Sequence, residues 1–142
     1  MHTKGPWGVD TLHYVFWNNR YKYSTPGGNA EGTTAQADTW TIRGSIENGT
    51  DTQLYHNGEA DGPCCNTTAD SDLEDWDLGA WDSDGLGTFT RFLKADIAEF
   101  IICRTALSDS DREKVEGYLA WKWGLEGNLD SSHPYRYTAP IV

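Results

Sequence analysis

No apolar run among the 142 residues approaches the roughly 20 needed to cross a bilayer. Membrane insertion is therefore not expected. The opening "MHTKGPWGVD" holds no apolar h-region, so it does not read as a Sec-type signal. Positive charge is scarce: 11 Lys and Arg face 22 Asp and Glu, for a net charge of −11. A field of that sign repels phosphate backbones and anionic surfaces, which excludes nucleic acid as an expected partner. A cation such as calcium, or an uncharged sugar, suits it better. Cysteine is scarce too. Cys64 and Cys65 are adjacent and Cys103 stands alone, so the three cannot all pair within one chain. No disulfide scaffold is expected, and a chain of this length can bury a core without one. Catalytic patterns are also missing. There is no Ser-His-Asp set, no P-loop and no zinc-ligand spacing, and the four His are scattered. The expectation is a single, non-enzymatic domain over residues 1–142.

Aromatics and glycine are abundant, with seven Trp, seven Tyr and 15 Gly. "LHYVFW" (12–17) alternates, Asn18-Asn19 can turn the chain, and "RYKYS" follows. A two-residue turn sets Phe16 opposite Tyr21 and Tyr14 opposite Tyr23, aromatic pairs that stabilise a hairpin. Residues 24–37, polar and rich in Gly, Thr and Ala, read as a loop. "TWTIRGSIE" (39–47) alternates again, with Trp40, Ile42 and Ile46 on one face and Thr41, Arg43 and Ser45 on the other. Asn48-Gly49 is a strong hairpin signal, "TDTQLYH" (50–56) returns, and Asn57-Gly58 turns the chain once more. This is the pattern of a β-meander.

Residues 61–87 are rich in Asp and Gly and read as long loops around one short strand near 76–80. "TFTRFLK" (88–94) and "DIAEFIIC" (96–103) read as strands, the second nearly continuous in apolar residues, as in a strand buried on both faces. One helix is expected, over about 108–123. Ser108 is its N-cap, and Asp109 and Asp111 complement the dipole in its first turn. Val115, Tyr118, Leu119 and Trp123 fall within about 140° of its circumference and form the expected buried stripe. Gly124 takes the left-handed cap position and Leu125 folds back behind it. Gly117 allows close approach to the sheet, and Trp121, at the edge of the stripe, could still reach a partner.

Three stretches together resemble a known family. "LYHNG" (54–58) is similar to a hairpin of laminin-G-like, concanavalin A-like lectin-glucanase domains. "IAEFIICRTALSDSDREKVEGYLAWKWGL" (97–125) is similar to that family's closing strand and helix, and "LDSSHPY" (129–135) to the tail in a bacterial and phage subgroup. The resemblance covers about residues 38–137. It implies an all-β, two-sheet antiparallel jelly-roll sandwich with one C-terminal helix. It also implies a role in carbohydrate binding or adhesion, in a virion or at an extracellular surface. Many relatives carry Ile-Asp-Glu in the closing strand, with the Asp linked to calcium. Here the triplet is Ile97-Ala98-Glu99, and Ala98 offers no ligand atom.

The resemblance brings three site hypotheses. Glucanase relatives use paired carboxylates, which retaining glycosidases hold about 5–5.5 Å apart. The nearest stretch, "LEDWDLG", has Glu74, Asp75 and Asp77 but places Trp76 where that motif needs Asp, so glycoside hydrolysis is the least favoured reading. Calcium could be held by Asp82 and Asp84 with loop carbonyls, although the EF-hand register puts Ala80 and Arg91 at ligand positions. Sugar could stack on Trp76 and Trp81 and bond to Asp82 and Asp84. A further route is assembly. Trp7, Tyr14, Trp17 and Tyr23 crowd the N-terminal region, and a sheet short of strands has open edges that pair with other chains. The expected partners are thus a glycan or protein subunits, either of a capsid or tail or of its own kind, as in a capsid decoration protein. A carbohydrate-binding module of a secreted glycan-degrading protein is the alternative.

Overall fold

The computed structural model describes residues 13–17, 20–25, 28–35, 38–49, 51–62, 65–66, 81–82, 89–90 and 92–141. Antiparallel strands with one α-helix make up its regular structure. β1 (His13–Trp17) pairs with β2 (Arg20–Thr25). The register sets Tyr14 against Tyr23 and Phe16 against Tyr21, as the aromatic alternation predicts.

β3 (Gly28–Ala35) adds to β2, with Lys22 opposite Glu31. This overturns the loop expected over 24–37. Gly, Asn and Ala are poor strand formers by propensity, so tertiary contacts must hold β3 extended. The Asp61 side chain supplies them. Its Oδ1 accepts from the backbone N–H groups of Thr33 (2.9 Å) and Thr34 (2.8 Å) and from both their hydroxyls. Its Oδ2 meets Arg43 Nη1 at 2.9 Å. Burial raises the Asp61 pKa, but the hydrogen bonds from Thr34 and Thr33 outweigh it and hold the carboxyl below the usual range.

A second sheet holds β4 (Arg43–Glu47), β5 (Asp51–His56) and β6 (Glu59–Ala60), with β7 (Cys65–Asn66) also paired to β5. The two expected turns fall at Asn48-Gly49 and Asn57-Gly58, and β4–β5–β6 is the meander. Period-two alternation buries Thr52 and Leu54 on β5. β3 lies against β5 and β7. β4 starts later than expected. Trp40 and Ile42, placed on one face by the alternation, part company: Ile42 is buried, while Trp40 is 52% exposed, because the chain before Arg43 is not held in the ladder.

β8 (Trp81–Asp82) pairs with β9 (Phe89–Thr90), setting Trp81 opposite Thr90 and Asp82 opposite Phe89. The strand expected near 76–80 lies outside the described residues. No strand forms over 92–107, which corrects the reading of 92–94 and of 96–103. Phe92, Ile97, Phe100, Ile101 and Ile102 are exposed. Apolar character alone does not make a strand; a ladder needs a neighbour presenting matched backbone groups. This segment is tied down through Glu99, whose Oε2 accepts from Trp123 Nε1 at 2.9 Å and meets Lys122 Nζ at 3.0 Å.

α1 (Asp109–Trp123) begins and ends where its caps predict. Ser108 Oγ accepts from Asp111 N–H at 3.2 Å, and Leu125 N–H donates to Ala120 O at 2.8 Å behind a left-handed Gly124. Its buried face is not the expected one. Glu116, Gly117 and Ala120 are buried, while Trp123 is 45% exposed. Small side chains let the helix come close. A Cβ on Gly117 would sit 2.5 Å from Tyr135 Cβ, so the close approach is to the C-terminal segment and not to the sheet. Ala120 then packs with Ile42 and Leu129, flanked by Leu119 and Leu125. Trp121, half-exposed, donates Nε1–H to Tyr135 O at 2.8 Å.

Candidate functional site

Two polar constellations stand out among the described residues, and only one is open to a ligand. The closed one joins the β5–β6 turn, α1 and the tail. Glu116 Oε2 accepts from Arg112 Nη1 at 2.5 Å and lies 3.2 Å from His133 Nε2. Arg112 stacks over the Tyr55 ring at 4.1 Å and reaches Gly58 O at 3.4 Å. Tyr135 N–H donates to His133 Nδ1 at 3.2 Å, so the ring proton sits on Nε2 and is given to Glu116. His133 and Glu116 are buried. A substrate cannot reach them, so the cluster serves as a clasp. It joins the three stretches that carry the family resemblance: the Asn57-Gly58 turn, the helix and "SSHPY".

The open site is a groove of about 340 Å³, at the small end of ligand pockets. Four segments meet there. The end of β3 brings Thr34 and Ala35, and the approach to β4 brings Thr39, Trp40 and Thr41. The β5–β6 turn brings His56 and Asn57, and a short 3-10 turn at Glu126–Asn128 brings Asn128. Every one of these side chains is uncharged or, for His56, held neutral. The Trp40 ring is half open to solvent.

The polar groups are fixed by bonds behind the groove. Asn128 Nδ2 donates to Trp40 O at 3.2 Å. Thr34 gives its hydroxyl proton to Asp61, leaving its oxygen able only to accept. Asn57 sits in the left-handed region at φ 51°, and its Oδ1 accepts from Ile42 N–H at 2.9 Å. Its Nδ2 lies 3.3 Å from His56 Nε2. Burial lowers the His56 pKa and the Arg43 charge lowers it further, against an opposing pull from Asp61. An apolar ring beside several oriented neutral donors and acceptors is what an uncharged, hydroxyl-rich ligand requires.

The sites expected from sequence map elsewhere. Trp76 and Asp84 lie outside the described residues. Trp81 and Asp82 are the two residues of β8. Among the described residues no group of three or more His, Cys, Asp or Glu is placed to hold a metal ion. The groove residues were not singled out as a site. In the sequence Trp40 and Ile42 share one face of an alternating strand, and Asn57 signals only a turn. Their meeting with Asn128, far along the chain, leaves no local signal.

No protein-family model matches the sequence, and no curated protein matches it. Among solved structures, residues 221–444 of an S-layer domain-containing protein from Clostridium thermocellum are similar, at TM-score 0.46 and 18% identity. The match covers 77% of this chain and 64% of that one.

Proposed function

We propose that this protein is a non-enzymatic binding module on a laminin-G-like, two-sheet antiparallel sandwich, and that it takes an uncharged sugar in the Trp40 groove. The observation that carries the reading is the groove itself: a half-open indole ringed by side chains without formal charge, with Thr34, Asn57 and Asn128 held in place from behind. Two separate antiparallel sheets, β1–β2–β3 and β4–β5–β6 with β7, support the sandwich. A net charge of −11 disfavours anionic ligands and leaves neutral glycans unopposed. In this reading the module works at a virion surface, as a capsid decoration or tail component, or as an adhesion component of a cell surface. The alternative setting is a carbohydrate-binding module of a secreted glycan-degrading protein.

The test is calorimetric titration with cello-, chito- and malto-oligosaccharides, on the wild type and on Trp40→Ala. Binding to one series that falls at least about tenfold in Trp40→Ala, an effect of about 1.4 kcal/mol, supports the reading. No heat with any of the three, or equal affinity in the variant, overturns it.

A further inference from the structure

Asn57 does more than turn the chain. Because its Oδ1 is taken by the Ile42 N–H, the amide has one orientation, and Nδ2 must face His56 Nε2. An amide nitrogen only donates, so Nε2 must accept. An imidazole with a lone pair on Nε2 carries its single proton on Nδ1 and is neutral. A second proton would set two donors against each other at 3.3 Å.

The surroundings act in the same direction. Arg43 lies opposite His56 in the β4–β5 register, and its positive charge opposes a second one. Asp61 favours protonation, but its carboxylate is already engaged by Arg43, Thr33 and Thr34. From the other walls come Thr34, Ala35, Thr39, Trp40, Thr41 and Asn128, none of which titrates. On its own strand and turn His56 is flanked by Tyr55 and Asn57, and across the β5–β6 ladder it faces Glu59, a carboxylate that favours protonation but sits on the exposed β6, where solvent screens it.

We propose that Asn57 is a positioning residue that locks His56 as the neutral Nδ1–H tautomer, so that the Trp40 groove holds its sugar at neutral pH and releases it on acidification. Protonating His56 breaks its bond to Asn57 and puts a charge into a wall that is otherwise neutral. The gate rests on the reading of the groove as a sugar site; the lock does not.

The experiment has two arms on the full chain. The first is a nitrogen-15 NMR titration of the imidazole rings without ligand, with His56 assigned by its loss in His56→Gln. The lock predicts the Nδ1–H pattern at neutral pH and a midpoint below the ordinary 6.5. Asn57→Asp, which also tolerates the left-handed conformation, replaces the donor by a carboxylate. It should move the proton to Nε2 and raise the midpoint by about 1–2 units. An Nε2–H tautomer in the wild type, a midpoint at or above the ordinary value, or no shift in Asn57→Asp overturns the lock. The second arm titrates cellotetraose, chitotetraose and maltotetraose near pH 7.5 and again one unit below the His56 midpoint. A fall in affinity of about tenfold supports the gate. Unchanged affinity overturns the gate alone. Absence of binding at both pH values overturns the sugar reading, and the gate with it, while the first arm still decides the lock.

Discussion

The chain contains the same dipeptide at two hairpin turns, and the two have different fates. Asn48-Gly49 joins β4 to β5 at the surface. Asn48 N–H meets Asp51 O at 3.1 Å, and a Cβ on Gly49 would have nothing within 4 Å. Asn57-Gly58 joins β5 to β6 inside a web. Asn57 bonds Ile42 and faces His56 through its side chain, and its carbonyl accepts from Asp130 N–H at 3.1 Å. Gly58 lies under His133, where a Cβ would fall 2.5 Å from Cδ2. Both turns follow from the Asn-Gly signal. What each does depends on the segments packed over it, and for the second turn those include Arg112, 54 residues downstream of Gly58, and the tail beyond it.

The comparison breaks most sharply at the glycines. Gly58→Ala combines a left-handed backbone at φ 88° with a clash against a buried ring, and should destabilise by about 4 kcal/mol. Gly49→Ala meets open space at φ 90° and should cost only about 1 kcal/mol of backbone strain. Urea unfolding of the two variants checks the contrast, and equal losses would remove it.

Next is the clasp over the second turn. Glu116→Gln leaves the Arg112 guanidinium without its main counter-charge among the described residues, in a site where its side chain is 11% exposed. The expected loss is about 3 kcal/mol, read by the same denaturation. A loss near zero would show that the clasp does not hold the tail and the turn together.

A smaller difference is expected from the two asparagines. Asn57→Gly keeps the left-handed turn but strands the Ile42 N–H, at a cost of about 1–2 kcal/mol. Asn48→Gly removes an exposed bond to Asp51 N–H and should stay within about 0.5 kcal/mol. Thermal melts of both variants give the ranking.

The smallest effect is in acid. His56 and Asp61 both have folded pKa values below their ordinary ones. Their stabilisation is therefore complete above the unfolded values of 6.5 and 3.8 and falls as pH drops through each. Stability measured against pH should show a shallow first loss below the histidine value and a second below the carboxylate value. Asp61→Asn should shrink the second step, leaving the share of Glu99, Asp111 and Asp130, whose carboxyls are also held below their ordinary values; an undiminished step would remove Asp61 from it.

Local signals account for what was legible in the sequence. The β1–β2 register, both Asn-Gly turns, the Ser108 cap and the Gly124-Leu125 stop are each written within a few residues. Contacts distant in sequence account for what was not. β3 has little strand propensity and is held by Asp61 from across the molecule. The helix buries Glu116 and Gly117 because Arg112, His133 and Tyr135 make room for them, so the more apolar stripe is only half-buried and its Trp123 is left exposed. The 96–103 run has strand composition but no ladder. The groove draws on residues 34 to 128, and no spacing rule reaches that far.

The central claim is that the Trp40 groove takes the ligand. Its most direct test is nitrogen-15 chemical-shift mapping of the labelled protein during titration with the oligosaccharide that binds most tightly. The account predicts saturable shifts at the Trp40 indole and at the side-chain amides of Asn57 and Asn128. Shifts confined to the Trp76 and Trp81 indoles, with Trp40 unmoved, would contradict it.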